Sequence, residues 1–92
     1  SAEEALSLGI VNRVFDDETF RADAAAFAKR IAHGPTTAIR FMKRNINKAA
    51  TSDLQCVLDQ EAEFTIRSFQ TKDASEAIKA FMEKRRPEFT GS

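Results

Sequence analysis

The sequence has 92 residues, of which fourteen are basic and fourteen acidic, so its formal net charge is zero. This balance argues against a dedicated nucleic-acid surface and against a polybasic membrane surface. The single cysteine, Cys56, excludes an internal disulfide and suits a reducing compartment, so we expect a cytoplasmic protein. No apolar run approaches the length of a membrane span. The composition predicts one small globular domain.

Two helices are predicted in the first third of the chain. Ser1 and Glu4 have the spacing of a capping box, and Gly9 is placed to end the short helix that they begin. Residues 10–15 alternate weakly between apolar and polar, which predicts an extended connector or a short edge strand. Acidic residues 16–18 then precede a second helix, whose N-terminus they favour. Its apolar stripe is Phe20, Ala24, Phe27, Ala28 and Ile31.

Two longer helices are predicted next. Pro35 is expected at the first position of a third helix over residues 36–50, because its missing N–H costs nothing there. Ser52 and Gln55 predict a capping box that opens a fourth helix over residues 53–69. The inward residues predicted for the third helix are Ile39, Met42, Ile46 and Ala49. The fourth helix has one stripe of Leu54, Leu58, Ala62, Ile66 and Phe69, with Val57 and Phe64 off it.

The apolar residues on more than one face of the fourth helix predict that it is buried against another domain or subunit. The third helix carries a basic stripe opposite its apolar residues, formed by Arg40, Lys43, Arg44 and Lys48. Such a stripe is typical of a solvated face, and the alternative is contact with a phosphate or another anion, including nucleic acid. The zero net charge disfavours nucleic acid as the partner.

No catalytic residue and no metal site is predicted within the chain. Cys56 and His33 are a nucleophile and a base in principle, but no third group is placed to orient the base. One His and one Cys also need at least two carboxylates to hold zinc. Glu61 is the carboxylate of most interest, because helical spacing turns it toward Leu54, Val57 and Leu58. A lone Glu in such a place is more often hydrogen-bonded across helices than catalytic.

The last helix is predicted to begin at Asp73, as N-cap, with Glu76 as its capping-box partner. Its apolar face is formed by Ala77, Ile78, Phe81 and Met82, and it ends at the basic residues Lys84, Arg85 and Arg86 before Pro87. Phe81 and Lys84 lie three apart on one face. They suit a ligand with an apolar part and a phosphate, or they are a core residue and a lysine that extends past it to solvent. The whole pattern predicts an all-α fold of four helices plus a short N-terminal helix.

Two motifs resemble the crotonase (enoyl-CoA hydratase/isomerase) superfamily. The first is SAEEALSLGIVNRVF at residues 1–15, which is similar to the family pattern A-x-E-A-x-x-x-G-[LI]-V-N-x-V. The second is the final stretch at residues 71–91, which is similar to T-x-D-x-x-E-G-x-x-A-F-x-E-K-R-x-P-x-F-x-G and departs from it at Ala77, where glycine is commoner. The resemblance also extends through Gly34, Pro35, Lys43 and Glu61.

The resemblance implies that residues 1–92 are the C-terminal helical oligomerisation and CoA-capping domain of a longer enzyme, whose catalytic spiral domain lies outside this chain. It implies an acyl-CoA thioester as substrate with no separate cofactor, and self-association into a trimer or hexamer. Phe81 would line the acyl or pantetheine region, and Lys84 would approach the CoA phosphates. The implied reaction is hydration of a 2-enoyl-CoA. The alternatives are another crotonase reaction, such as isomerisation or thioester hydrolysis, or a stand-alone helical interaction module.

Overall fold

The computed structural model describes all residues from 1 to 92 and contains five α-helices and no β-strand. The helices are α1 (Ala2–Ser7), α2 (Phe20–Ala32), α3 (Thr36–Ala49), α4 (Leu54–Phe69) and α5 (Lys72–Met82). The predicted all-α fold, with four longer helices and a short first one, is therefore confirmed. The chain forms two compact units, Ser1–Arg30 and Ile31–Ser92.

Both ends of α1 follow the sequence prediction. The Ser1 hydroxyl accepts a hydrogen bond from the Glu4 N–H at 3.1 Å, and the Glu4 carboxylate accepts one from the Ser1 nitrogen at 2.7 Å. At the other end, Gly9 has a φ of +71° and its N–H donates to the Leu6 carbonyl at 3.1 Å. The Ile10 N–H donates to the Ala5 carbonyl at 2.9 Å, which completes a Schellman motif.

Residues 10–15 form the extended connector of the two predicted alternatives, not the edge strand. A strand needs a partner to satisfy its N–H and C=O groups, and no second strand exists in the chain. Further along the first unit, the rings of Phe15 and Phe20 meet edge to face at 6.5 Å. The guanidinium groups of Arg13 and Arg30 both lie over the Phe27 ring, at 4.8 and 5.2 Å from its centroid. Phe27 thus packs with its own unit through cation–π contacts.

In the second unit, α3 and α4 pack through a pair of stacked rings. Phe41 and Phe64 lie 4.5 Å apart between centroids, and Phe64 is only 5% exposed. The Gln60 side-chain amide donates to the Asn45 side-chain oxygen at 2.7 Å, which joins the same two helices. The prediction that Met42 and Ile46 face inward is wrong, because both remain exposed. The helix is rotated so that the Phe41 ring, which buries more apolar area, occupies the contact.

Three predicted helix starts are displaced by one or two residues. Pro35 is the N-cap of α3 and not its first residue, and it provides no side-chain cap. Asp53, not Ser52, caps α4, because its carboxylate accepts from the Cys56 N–H at 2.9 Å. Thr71, not Asp73, caps α5, and its hydroxyl accepts from the Ala74 N–H at 3.1 Å. The Asp73 carboxylate instead accepts hydrogen bonds from the C-terminal residues of the chain, as described below.

Candidate functional site

The two residues singled out by the sequence, Phe81 and Lys84, lie at the C-terminal end of α5. The Phe81 ring is 85% exposed, so it is not a core residue of this chain. The Lys84 side chain is also exposed, and the backbone N–H of Lys84 donates to the Phe81 carbonyl at 3.2 Å. The structure therefore places both side chains on one exposed turn. An exposed ring and an exposed ammonium group on the same turn suit a ligand that has both an apolar and an anionic part.

The helix presents its larger apolar residues to solvent and packs through its smaller ones. Asp73 and Ala80 are buried, at 3% and 1% exposed, and they lie on one side of α5. Ile78, Phe81 and Met82 recur at helical spacing and are all more than half exposed. The predicted apolar face therefore exists, but within this chain it has no partner. Exposed apolar surface of this kind marks a contact with another protein or a ligand.

Lys84 has the unusual backbone conformation of the site. It is the one non-glycine residue of the chain with positive φ, at +53°. Its N–H bond to Phe81 and the bond from the Arg85 N–H to the Ala80 carbonyl, at 3.0 Å, form a second Schellman motif. Lys84 occupies the position that glycine holds in the first one. A left-handed backbone costs a residue with a Cβ atom about 1–2 kcal/mol, so the turn is held by its surroundings.

The residues on either side of Lys84 in sequence, Glu83 and Arg85, belong to an ion cluster with Glu76. The Arg85 guanidinium donates to both Glu76 carboxylate oxygens, at 2.6 and 2.9 Å, and to the Glu83 carboxylate at 2.6 Å. The hydrogen bond from Arg85, followed by one from the Glu88 N–H at 2.9 Å, lowers the pKa of Glu76 to about 2. The hydrogen bonds that Arg85 donates to Glu76 and then to Glu83 raise the pKa of Arg85. Lys84 makes no ion pair.

The last residues of the chain are fastened to the start of α5 by Asp73. Its carboxylate accepts from the Thr90 N–H at 2.7 Å and from the Gly91 N–H at 2.9 Å, and its own N–H donates to the Ser92 carbonyl at 3.0 Å. Gly91 has a φ of +76°, and a Cβ atom there would lie 2.5 Å from the Thr36 hydroxyl oxygen. We call residues 83–92, which return along α5 in this way, the tail.

Sequence reasoning assigned Asp73 and Glu76 to a capping box and so missed their contacts with the tail. An acidic residue in the first turn of a helix looks the same in either role, because its carboxylate accepts N–H bonds in both. The sequence does show that Pro87 ends the helix and that backbone N–H groups after it need acceptors. It does not show which acceptors they find, because the hydrogen bonds to Asp73 and Glu76 join residues 9 to 18 positions apart.

The remaining candidates do not assemble into a site. Cys56 is exposed in the first turn of α4, and Glu61 is exposed beside the α3–α4 contact. No three of the His, Cys, Asp and Glu side chains gather closely enough to hold a metal ion. Two guanidinium groups of the basic stripe lie over the stacked rings, with Arg40 5.6 Å from the Phe41 centroid and Arg44 5.2 Å from that of Phe64. No helix has the length and apolar character needed to cross a membrane.

Comparison with known proteins gives consistent matches. A family model described as enoyl-CoA hydratase/isomerase matches residues 1–92. The 1,2-epoxyphenylacetyl-CoA isomerase of Escherichia coli is 37% identical over 91 residues, which are 99% of this chain and 35% of that protein. The short-chain-enoyl-CoA hydratase of Clostridium acetobutylicum is 33% identical over 87 residues, which are 95% of this chain and 33% of that protein.

Solved structures agree with these matches. The crystal structure of an enoyl-CoA hydratase from Bacillus anthracis superposes with a TM-score of 0.87 at 33% identity, and the alignment covers 100% of this chain and 36% of that one. An enoyl-CoA hydratase from a Polaromonas species gives a TM-score of 0.90 at 28% identity, covering 98% of this chain and 35% of that one. The chain thus spans about a third of the length of the relatives that it matches.

Proposed function

Since the chain belongs to the enoyl-CoA hydratase/isomerase family, we propose that it is the C-terminal helical part of an acyl-CoA enzyme, where it packs subunits together and covers the CoA site. The proposal rests on one observation above the others. Phe81 and Lys84 are exposed on one turn, and neither side chain has a structural role within the chain. The cytoplasm is the proposed compartment, because an exposed, unpaired Cys56 suits a reducing environment.

The proposed reaction of the whole enzyme is addition of water to a 2-enoyl-CoA. Isomerisation and thioester hydrolysis are the alternatives within the family, and the relatives above include both an isomerase and a hydratase. For each of these reactions, the segment would supply binding surface and the rest of the enzyme would supply the catalytic groups. An oxyanion hole for the thioester carbonyl belongs to that other part.

Subunit packing is supported by the exposed apolar residues of α4 and α5. The predicted stripe contains four large apolar residues besides Ala62, and all four are at least 48% exposed: Leu54, Leu58, Ile66 and Phe69. The residue that α4 buries is Phe64, which lies off that stripe. The stripe is therefore available for a second partner, and a trimer or a hexamer of the whole enzyme would bury it.

Substitution of Lys84 in the full-length enzyme tests the proposed CoA contact. We expect Lys84→Ala to weaken binding of CoA by about tenfold, because a charge-assisted contact with phosphate is lost. It should change binding of 3′-dephospho-CoA by less than about twofold. Lys72→Ala, an exposed lysine at the other end of α5, is the matched control and should leave both affinities unchanged. An unchanged CoA affinity in Lys84→Ala would mean that Lys84 is an ordinary solvent-exposed lysine that does not contact CoA.

The same titrations test Phe81. We expect Phe81→Ala to weaken CoA and its 3′-dephospho form alike, because an apolar ring does not sense the phosphate. An effect confined to one of the two ligands would contradict a contact with the acyl or pantetheine part.

A further inference from the structure

The C-terminal turn of α5 holds three consecutive cations but neutralises only one of them within the chain. Arg85 forms ion pairs with both Glu76 and Glu83, each with an N–O distance of 2.6 Å. Glu83 precedes Lys84 in sequence, but its carboxylate pairs with Arg85, and Lys84 itself makes no ion pair. Lys84 and Arg86 are therefore the two cations of this turn that have no carboxylate partner within the chain.

The same cluster fixes the backbone on both sides of Lys84. Before it, the N–H of Glu83 donates to the Lys79 carbonyl at 3.0 Å. After it, the Arg85 side chain reaches back nine residues to Glu76, which also accepts from the Glu88 N–H. The left-handed residue thus sits between two anchored neighbours. A bidentate arginine–carboxylate pair constrains direction as well as distance, which a single hydrogen bond does not.

The helix end would otherwise be a poor place to bind an anion, because the C-terminus of a helix carries partial negative charge. The Schellman bonds reduce this field, since the carbonyls of Ala80 and Phe81 each accept an N–H from the turn. The Arg85 and Glu76 side chains remain 37% and 22% exposed, so solvent limits what their pairing adds to stability. The pair also links α5 to the tail, which fixes the course of the backbone around Lys84.

We propose that Glu76 is a positioning residue for Lys84: by pairing with Arg85, it sets the left-handed turn and leaves the ammonium group directed to the phosphate of the CoA ligand. The inference rests on the proposed contact between Lys84 and CoA. Glu76 itself would contact neither the substrate nor the reacting atoms. It acts through Arg85, because the ion pair limits the positions that the Lys84 ammonium group can adopt.

The test is a double-mutant cycle in the full-length enzyme, with CoA and 3′-dephospho-CoA as the probes. Glu76→Gln keeps the size of the side chain and an oxygen to accept from the Glu88 N–H but removes its charge. We expect it to weaken CoA binding by about fivefold and to leave 3′-dephospho-CoA within about twofold. In a Lys84→Ala background, the same change should have no further effect on CoA affinity.

Glu63→Gln is the matched control, because Glu63 forms an exposed ion pair with Arg67 on α4, at 2.6 Å, away from Lys84. It should leave both affinities unchanged. Equal weakening of both ligands in Glu76→Gln, or effects of Glu76→Gln and Lys84→Ala that simply add, would overturn the positioning role while the CoA contact of Lys84 stands. An unchanged CoA affinity in Lys84→Ala alone would instead overturn the proposed contact, and the positioning role with it.

Discussion

At the scale of single residues, two helices of the chain end in a Schellman motif, with a different residue at the left-handed position of each. Gly9 ends α1 and Lys84 follows the end of α5, and both have positive φ, at +71° and +53°. Glycine adopts this conformation without cost, whereas lysine does so against its backbone preference. Strain of this kind often accompanies a site where the side chain itself is needed. The comparison singles out Lys84 independently of its charge.

Replacing Lys84 by glycine should separate the cost of the turn from the use of the side chain. We expect the free energy of unfolding of Lys84→Gly to exceed that of Lys84→Ala by about 1 kcal/mol, because only glycine relieves the left-handed strain. Denaturant titrations of the two variants measure this difference. Both variants should lose CoA affinity to the same extent. Equal stabilities would show that the turn is not strained at Lys84.

At the scale of elements, α5 is held by hydrogen bonds to the tail as well as by packing against α4. Its two acidic residues, Asp73 and Glu76, accept hydrogen bonds from the N–H groups of Glu88, Thr90 and Gly91. The Thr37 hydroxyl of α3 also donates to the Gly91 carbonyl at 2.8 Å. The tail therefore joins the beginnings of two helices. Without these bonds, its backbone groups would have to find partners in water.

The pKa of Glu76 predicts how this part of the molecule responds to acid. The folded state lowers that pKa from 4.5 to about 2, so the folded protein binds this proton less readily than the unfolded chain. The contribution of Glu76 is therefore complete above pH 4.5 and is lost as the pH falls to about 2. We expect the gap in unfolding free energy between the protein and Glu76→Gln to close across this range.

Urea titrations at several pH values measure that gap, and the subtraction removes the other carboxylates common to both proteins. Glu63→Gln, at an ion pair whose side chains are both about half exposed, is again the control. A gap for Glu76→Gln that stays constant from neutral pH down to pH 2 would contradict a lowered pKa.

At the scale of the whole molecule, little apolar surface is buried within the chain. Phe64 and Ala80 are its only buried apolar residues, while the exposed ones on α4 and α5 include Phe69 at 71% and Phe81 at 85%. A sequence with this many apolar side chains normally buries more of them. The proposed partners of this surface are the remainder of an acyl-CoA enzyme and neighbouring subunits.

Two expectations follow for the isolated 92 residues. They should self-associate with rising concentration, because the stripe on α4 and the end of α5 are apolar and exposed. They should also show no turnover of crotonyl-CoA, because the proposed role of the segment is binding and packing. Sedimentation velocity and a hydratase assay measure these outcomes. A monodisperse monomer at high concentration would contradict the first expectation and favour a stand-alone module, and measurable turnover would contradict the second.

By itself, the sequence determined the number and order of the helices, the cap at Ser1, the glycine stop at Gly9 and the family. These features are local: they depend on apolar periodicity and on residues three or four positions apart. The tertiary structure alone decided that Phe41 rather than Met42 meets α4, and that Asp73 and Glu76 hold the tail instead of capping α5. A carboxylate in the first turn of a helix accepts N–H groups from the helix or from elsewhere equally well. Which N–H groups these carboxylates bind depends on donors up to 18 residues away, and a local sequence pattern does not reveal such distant partners.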